Sequence, residues 1–188
     1  MNDCVLVHGC FKEEQFRDTS GPSPSNRHWF AWLQHELLAR DILTQTPEMP
    51  RPYAPDYALW SAALDQYTLS ADAMLVGHSC GCGFLLRWLG ERPEVRLKKL
   101  VLVAPSLGLD WSDRSFFDFT IDSALQDRID DIVLFAADDD RQAIRDASKQ
   151  IQAVLPKARV LQFETGGHFI FSTLGRAEFP ELLEELLR

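Results

Sequence analysis

Basic charge is scarce in this 188-residue chain: 19 Lys and Arg stand against 28 Asp and Glu, a formal net charge of −9, and the few basic residues form no patch. Nucleic-acid phosphate and anionic membrane would be repelled, so neither is an expected partner. Long apolar runs are lacking as well; none approaches the roughly 18 residues that a membrane span needs. The opening "MNDCVLVHGCF" has no basic segment followed by a long apolar run and a small-residue cleavage site, so the expected location is cytoplasmic. Cysteine is sparse, with four residues at Cys4, Cys10, Cys80 and Cys82. They do not make the dense framework of a small secreted domain. His78, Cys80 and Cys82 lie close in sequence without the spacing of a zinc site, so no metal is expected. Neither a GxGxxG nor a Gly-Lys-Ser/Thr motif is present, and no cofactor is expected.

What the chain does have is 46% hydrophobic and 25% charged residues, an ordinary balance for a globular protein whose length suits one domain over residues 1–188. Short apolar runs at Cys4–His8, Asp41–Thr46, Ala73–Val76, Lys99–Ala104, Asp131–Ala137 and Ala158–Phe163 read as buried strands. Between them, apolar spacings of three and four predict helices over Trp29–Ala39, Tyr57–Tyr67, Gly83–Leu89, Gln142–Leu155 and Glu178–Leu187. Such alternation predicts an α/β fold of three layers, a six-stranded mainly parallel sheet ordered 2-1-3-4-5-6 with helices on both faces. Residues 18–27 form a loop by composition, with Asn26 placed to cap the aromatic helix that follows. Residues 106–128 are the one room for an insertion, too short for a large lid domain.

"MLVGHSCGCGFLLRWL", residues 74–89, places Gly77, Ser79 and Gly81 between a strand and a helix. A GxSxG in that setting is a nucleophile elbow, in which a strained turn lifts the serine hydroxyl above the carboxyl edge of the sheet. Serine is a weak nucleophile at neutral pH and needs a base oriented by a third group. In elbow enzymes acid and then histidine follow later in the chain. "IVLFAADDDR" ends a strand in Asp138, Asp139 and Asp140, and "RVLQFETGGHFIF" places His168 just past the last strand. The remaining histidines read otherwise: His28 and His35 as surface residues, His8 as shaping the first turn, His78 as packing inside the elbow.

In "VLVHG", "HWFAWLQHEL", "GHSCG", "LVLVAP", "LFAADDD" and "GGHF", in that order, the chain resembles the α/β-hydrolase superfamily, and within it the small serine hydrolases of the retinoblastoma-binding protein nine and YdeN family. That resemblance implies a sheet without the superfamily's first hairpin and a triad of Ser79, an Asp and His168. Relatives carry Asp-Asp-Pro at the acid loop, where this chain has Arg141 in place of the proline. Matching the pattern puts the carboxylate at Asp140, with Asp139 as the alternative.

The expected chemistry is acyl transfer: Ser79 attacks a carbonyl, His168 takes its proton, Asp140 holds the imidazole, and water then hydrolyses the acyl-enzyme. Backbone N–H groups of Cys10 and Cys80 are the expected oxyanion donors, with the two thiols as packing. The expected substrate is a small or medium acyl ester or thioester, with Phe116, Phe117 and Phe119 lining the acyl side. The other reading is a non-catalytic binding or interaction protein built on the same fold. Oligomeric state is not legible in the sequence.

Overall fold

Six apolar runs become parallel strands in the computed structural model, which describes residues 3–188. They are β1 (Asp3–Val7), β2 (Leu43–Gln45), β3 (Met74–His78), β4 (Leu97–Val103), β5 (Ile129–Ala137) and β6 (Arg159–Phe163). Hydrogen bonding orders them β2-β1-β3-β4-β5-β6, every neighbouring pair parallel, as expected. Seven helices accompany them: α1 (Glu13–Arg17), α2 (Phe30–Leu38), α3 (Tyr57–Leu64), α4 (Cys80–Gly90), α5 (Gln142–Val154), α6 (Phe171–Leu174) and α7 (Pro180–Leu187).

Successive side chains of a strand point to opposite faces, so each strand feeds two cores. Met74 and Val76 of β3, with Val101 and Val103 of β4, meet Trp29, Leu33 and Leu37 beside α7's Leu182 and Leu186. Leu75, Leu100 and Leu102 meet Trp60 of α3, Phe84 and Leu85 of α4 and Ile151 of α5. Continuous apolar strands follow from burial on both faces. Strand order reverses between β1 and β3, so the carboxyl ends of those two strands flank a crevice, the place where sheets of this kind hold ligands.

Three local expectations change. The helix after the GxSxG begins at Cys80 and not Gly83, because Ser79 itself takes the N-cap position and the glycines are inside the first turns. Asn26 ends a 3₁₀ turn, Pro24–Asn26, and Trp29 precedes α2 with no side-chain cap. Short α1 and α6, with five and four residues, carry too little periodicity to be seen in the sequence. Residues 106–128 hold only two short 3₁₀ turns, Ser115–Phe117 and Ser123–Asp127, and no large lid is present.

The amino-end of the sheet holds a buried ion cluster. Lys99 on β4 is 3% exposed. Its Nζ lies 3.2 Å from Glu185 Oε1 on α7 and 3.4 Å from Asp131 Oδ2 on β5. Arg159, the first residue of β6, donates two hydrogen bonds to Asp131, at 3.0 and 2.7 Å, and two more to Glu185. Burial opposes ionisation of Glu185, but Arg159 and Lys99 outweigh it and hold its carboxyl below the ordinary range; Arg159 chiefly does the same for Asp131.

Removing one partner of a buried pair strands the other charge, so Glu185→Leu is expected to cost about 3 kcal/mol of unfolding free energy in denaturant titrations. Lys99→Met added to it recovers most of that loss. Depressed carboxyl pKa values mean stability that is fully present above the unfolded carboxylate range and lost as pH falls through the folded values. Acid therefore destabilises the wild type more steeply than the double variant; equal acid sensitivity would contradict the assignment.

Candidate active site

At the opposite, carboxyl end of the sheet the chain turns from β3 into α4 through Ser79, whose φ of 55° and ψ of −120° lie where an L-residue is strained. The turn is tight because α4's first residues press against the end of β1. A Cβ on Gly81 would stand 2.5 Å from the Val7 carbonyl oxygen and 2.7 Å from that of His8; one on Gly77 would stand 2.9 Å from the Cys82 backbone. Both positions therefore require glycine. The Ser79 N–H donates to the Val103 carbonyl (2.9 Å) and its C=O accepts from Ser106 N–H (3.0 Å), so the elbow is also tied to β4.

His168 follows β6 in a turn with positive φ at Gly166 (144°), Gly167 (52°) and Phe169 (52°). Phe169 anchors the turn: it is fully buried, stacks on Phe179 at 5.4 Å, and its carbonyl accepts from the Trp29 indole N–H at 2.9 Å. The imidazole then reaches both ways, Nε2 to Ser79 Oγ at 2.8 Å and Nδ1 to Asp140 Oδ2 at 2.8 Å. An ionised carboxylate only accepts, so Nδ1–H donates to Asp140, and Nε2 accepts the Ser79 hydroxyl.

The aspartate triplet divides three ways. Asp140 is buried, with 2% of its side chain exposed, and its second oxygen accepts from Arg141 N–H at 2.7 Å. Asp139 is exposed and faces the glycine turn, accepting from Gly167 N–H at 2.7 Å. Asp138 accepts from the Gln162 side chain at 2.8 Å. The imidazole thus meets Asp140, the residue matched to the family pattern, and not Asp139.

Cys80 is the first residue of α4, whose leading N–H groups have no preceding turn to donate to. Burial opposes ionisation of the Cys80 thiol, but hydrogen bonds from the Cys10 thiol and the Cys10 N–H outweigh it and lower its pKa. The two thiols are neighbours; burial, then Cys80, push the Cys10 thiol well up. All four cysteines are free, and among the described residues no group of three His, Cys, Asp or Glu could hold a metal.

His8 shapes its turn as expected: Nε2 accepts from Met49 N–H at 2.9 Å, leaving Nδ1–H to donate to the Gly9 carbonyl at 2.7 Å. His35 is exposed. His28, expected on the surface, is half-buried against the site. Its Nδ1 accepts from Phe171 N–H at 3.2 Å, and its ring lies parallel to Phe11 at 6.2 Å. Burial, with Arg27 and His168 adding to it, pushes its pKa down to about 4. Phe116 and Phe117, expected on the acyl side, are 3% and 4% exposed. They are core residues, Phe116 edge-on to Trp60 at 5.0 Å and Phe117 against Gly83 and Gly108, because the insertion folds its aromatics inward. Phe119 is half-buried on the same side. Phe11, His28 and the 56% exposed Phe171 border the site instead. Nothing in their sequence spacing marks those three, because the loops that bring them together are irregular.

YdeN of Bacillus subtilis (strain 168) is 33% identical over 164 residues, covering 78% of this chain and 80% of its own. The solved structure of the ydeN gene product from B. subtilis superposes with a TM-score of 0.83 at 26% identity, over 100% of this chain and 97% of that one. Est1E from Butyrivibrio proteoclasticus, solved with ferulic acid bound, shares the fold with a TM-score of 0.68 at 15% identity, over 100% of this chain and 88% of its own. A family model described as serine hydrolase matches residues 20–187. With that match spanning both the elbow and the glycine turn, the chain belongs to the serine hydrolase family.

Proposed function

We propose that this protein hydrolyses small or medium acyl esters or thioesters through a Ser79, His168 and Asp140 triad carried in one catalytic domain, in a cytoplasmic setting that keeps its four thiols reduced. The observation that carries the proposal is the unbroken line from Ser79 Oγ through the imidazole to a buried carboxylate, two contacts of 2.8 Å each. Hydrogen-bond reach between nucleophile, base and orienting acid is the geometry that acyl transfer needs.

The steps follow from the contacts. Ser79 Oγ adds to the acyl carbon as its proton passes to His168 Nε2. Asp140, held by Arg141 N–H, keeps Nδ1 protonated and stabilises the imidazolium. In this reading the N–H groups of Cys10, on the loop after β1, and of Cys80, in the first turn of α4, meet the charge developing on the carbonyl oxygen. The imidazolium returns its proton to the departing alkoxide or thiolate, and water, deprotonated by His168, releases the acid. Phe11, His28 and Phe171 give the uncharged part of a substrate an apolar border, and a neutral His28 suits that role.

Steady-state hydrolysis of p-nitrophenyl acetate and butyrate tests this. Ser79→Ala, His168→Ala and Asp140→Asn are each expected to lower kcat/KM by about 10⁴-fold. Cys10→Ala and Cys80→Ala keep the backbone donors and are expected to retain most of the activity. Undiminished turnover by Ser79→Ala, or a wild type inert toward every ester and thioester tried, would contradict the proposal; the second outcome would favour a binding protein.

A further inference from the structure

Besides the Trp29 indole on the Phe169 carbonyl, two side chains that the triad does not use hold the turn carrying His168. On its leading side, Asp139 Oδ1 accepts from Gly167 N–H at 2.7 Å, and Oδ2 from Gly166 N–H at 3.4 Å. On its trailing side, His78 Nε2 lies 2.8 Å from the carbonyl oxygen of His168. A carbonyl oxygen only accepts, so Nε2 is protonated and donates. Asp139 immediately precedes Asp140, and His78 immediately precedes Ser79. Each therefore adjoins one of the two groups the imidazole must reach, Asp139 in the loop after β5 and His78 at the end of β3.

Resting on the hydrolase reading above, we propose that Asp139 and His78 are positioning residues for His168, gripping the backbone before and after it so that Nε2 and Nδ1 stay in line with Ser79 and Asp140. Two of the three positive φ values around the base are at glycines, which leave the turn free to take other conformations, and within it a single backbone bond, Phe169 N–H to Gly166 C=O at 2.9 Å, closes the loop. The two outside contacts tie it to the acid loop and to the elbow at once. Any drift of the base relative to its partners has to break one of them.

The chemistry of the two residues suits the task. Asp139 is exposed, so it accepts the two N–H groups without a desolvation cost. His78 is 4% exposed, between Trp29 at 5.8 Å and His168 at 5.1 Å. Burial first, then His168 and His28, hold its pKa well below the histidine range. A neutral ring donates to the carbonyl without placing a positive charge beside the imidazole that must itself become positive in the reaction.

Ester kinetics and thermal midpoints of Asp139→Ala, Asp139→Asn, His78→Phe and His78→Gln test the clamp. Displacing a catalytic group by about 1 Å costs about 10²-fold, so Asp139→Ala and His78→Phe are expected to lower kcat by about that factor with KM nearly unchanged. Asp139→Asn keeps an acceptor and His78→Gln keeps a donor, so both recover most of kcat. His78→Phe is read beside its thermal midpoint because the site is buried; Asp139 is exposed and carries the test on an undisturbed fold. Wild-type kcat in Asp139→Ala, or in a folded His78→Phe, overturns the clamp while leaving the hydrolase reading intact. Asp139→Asn as inactive as Asp140→Asn also overturns it, since Asp139 would then serve as an acid. A wild type without turnover overturns the hydrolase reading and the clamp with it.

Discussion

The close approach of α4 to the end of β1 is the constraint on which the rest of the site depends. It forces glycine at position 81, where a Cβ would meet the Val7 and His8 carbonyl oxygens, and it accompanies a Ser79 φ of 55° and the neighbouring Cys10 and Cys80 thiols. A residue in such a conformation costs about 1–3 kcal/mol. Burial of α4 outweighs it: Phe84, Leu85, Leu86 and Leu89 are fully buried, and each such side chain contributes about 1.5–3 kcal/mol. Ala104, with φ of 46° just past β4, and Phe169, with φ of 52° beside His168, show the same economy. Strain gathers at the carboxyl edge, and the packed layers below it hold it there.

The two ends of the sheet divide the work. Lys99, Asp131, Arg159 and Glu185 lock α7 to β4, β5 and β6 at the amino-end, on charges that are satisfied within the cluster. Ser79, Asp140 and His168 lie at the other end, on loops that follow β3, β5 and β6. Parallel strands make this separation possible, because every carboxyl end falls on the same edge. Ser79, Asp140 and His168, 61 and 28 residues apart in sequence, meet there with no special folding of the intervening chain.

The sheet was legible in the sequence because strands buried on both faces read as continuous apolar runs, and "MLVGH" and "LVLVAP" are such runs. The elbow was legible because its glycines answer a steric need. The division of labour within Asp138, Asp139 and Asp140 was not: three identical side chains differ only in direction, and that is decided by how β5 ends and by Arg145 holding the backbone of Asp138 and Asp140. Matching to the family pattern chose Asp140, whose Oδ2 lies 2.8 Å from His168 Nδ1. Phe116 and Phe117 read as acyl-lining because they lie in an insertion, but Phe117 fills the space left by Gly83 and Gly108 and Phe116 packs on Trp60 and Phe84. His28 misled because a polar loop residue reads as exposed until Phe11 and Phe171 are seen to enclose it. Buried His78 was read as packing, and its ring does pack; its hydrogen bond to the His168 carbonyl crosses 90 residues and leaves no local signature.

The central claim is that Ser79 is made nucleophilic by its neighbours, and covalent trapping measures that most directly. Incubation with a fluorophosphonate, followed by peptide mapping in the mass spectrometer, should find a single phosphonyl adduct on Ser79, formed slowly or not at all when His168 is replaced by alanine. An unmodified Ser79, or an adduct on another residue, would contradict the account.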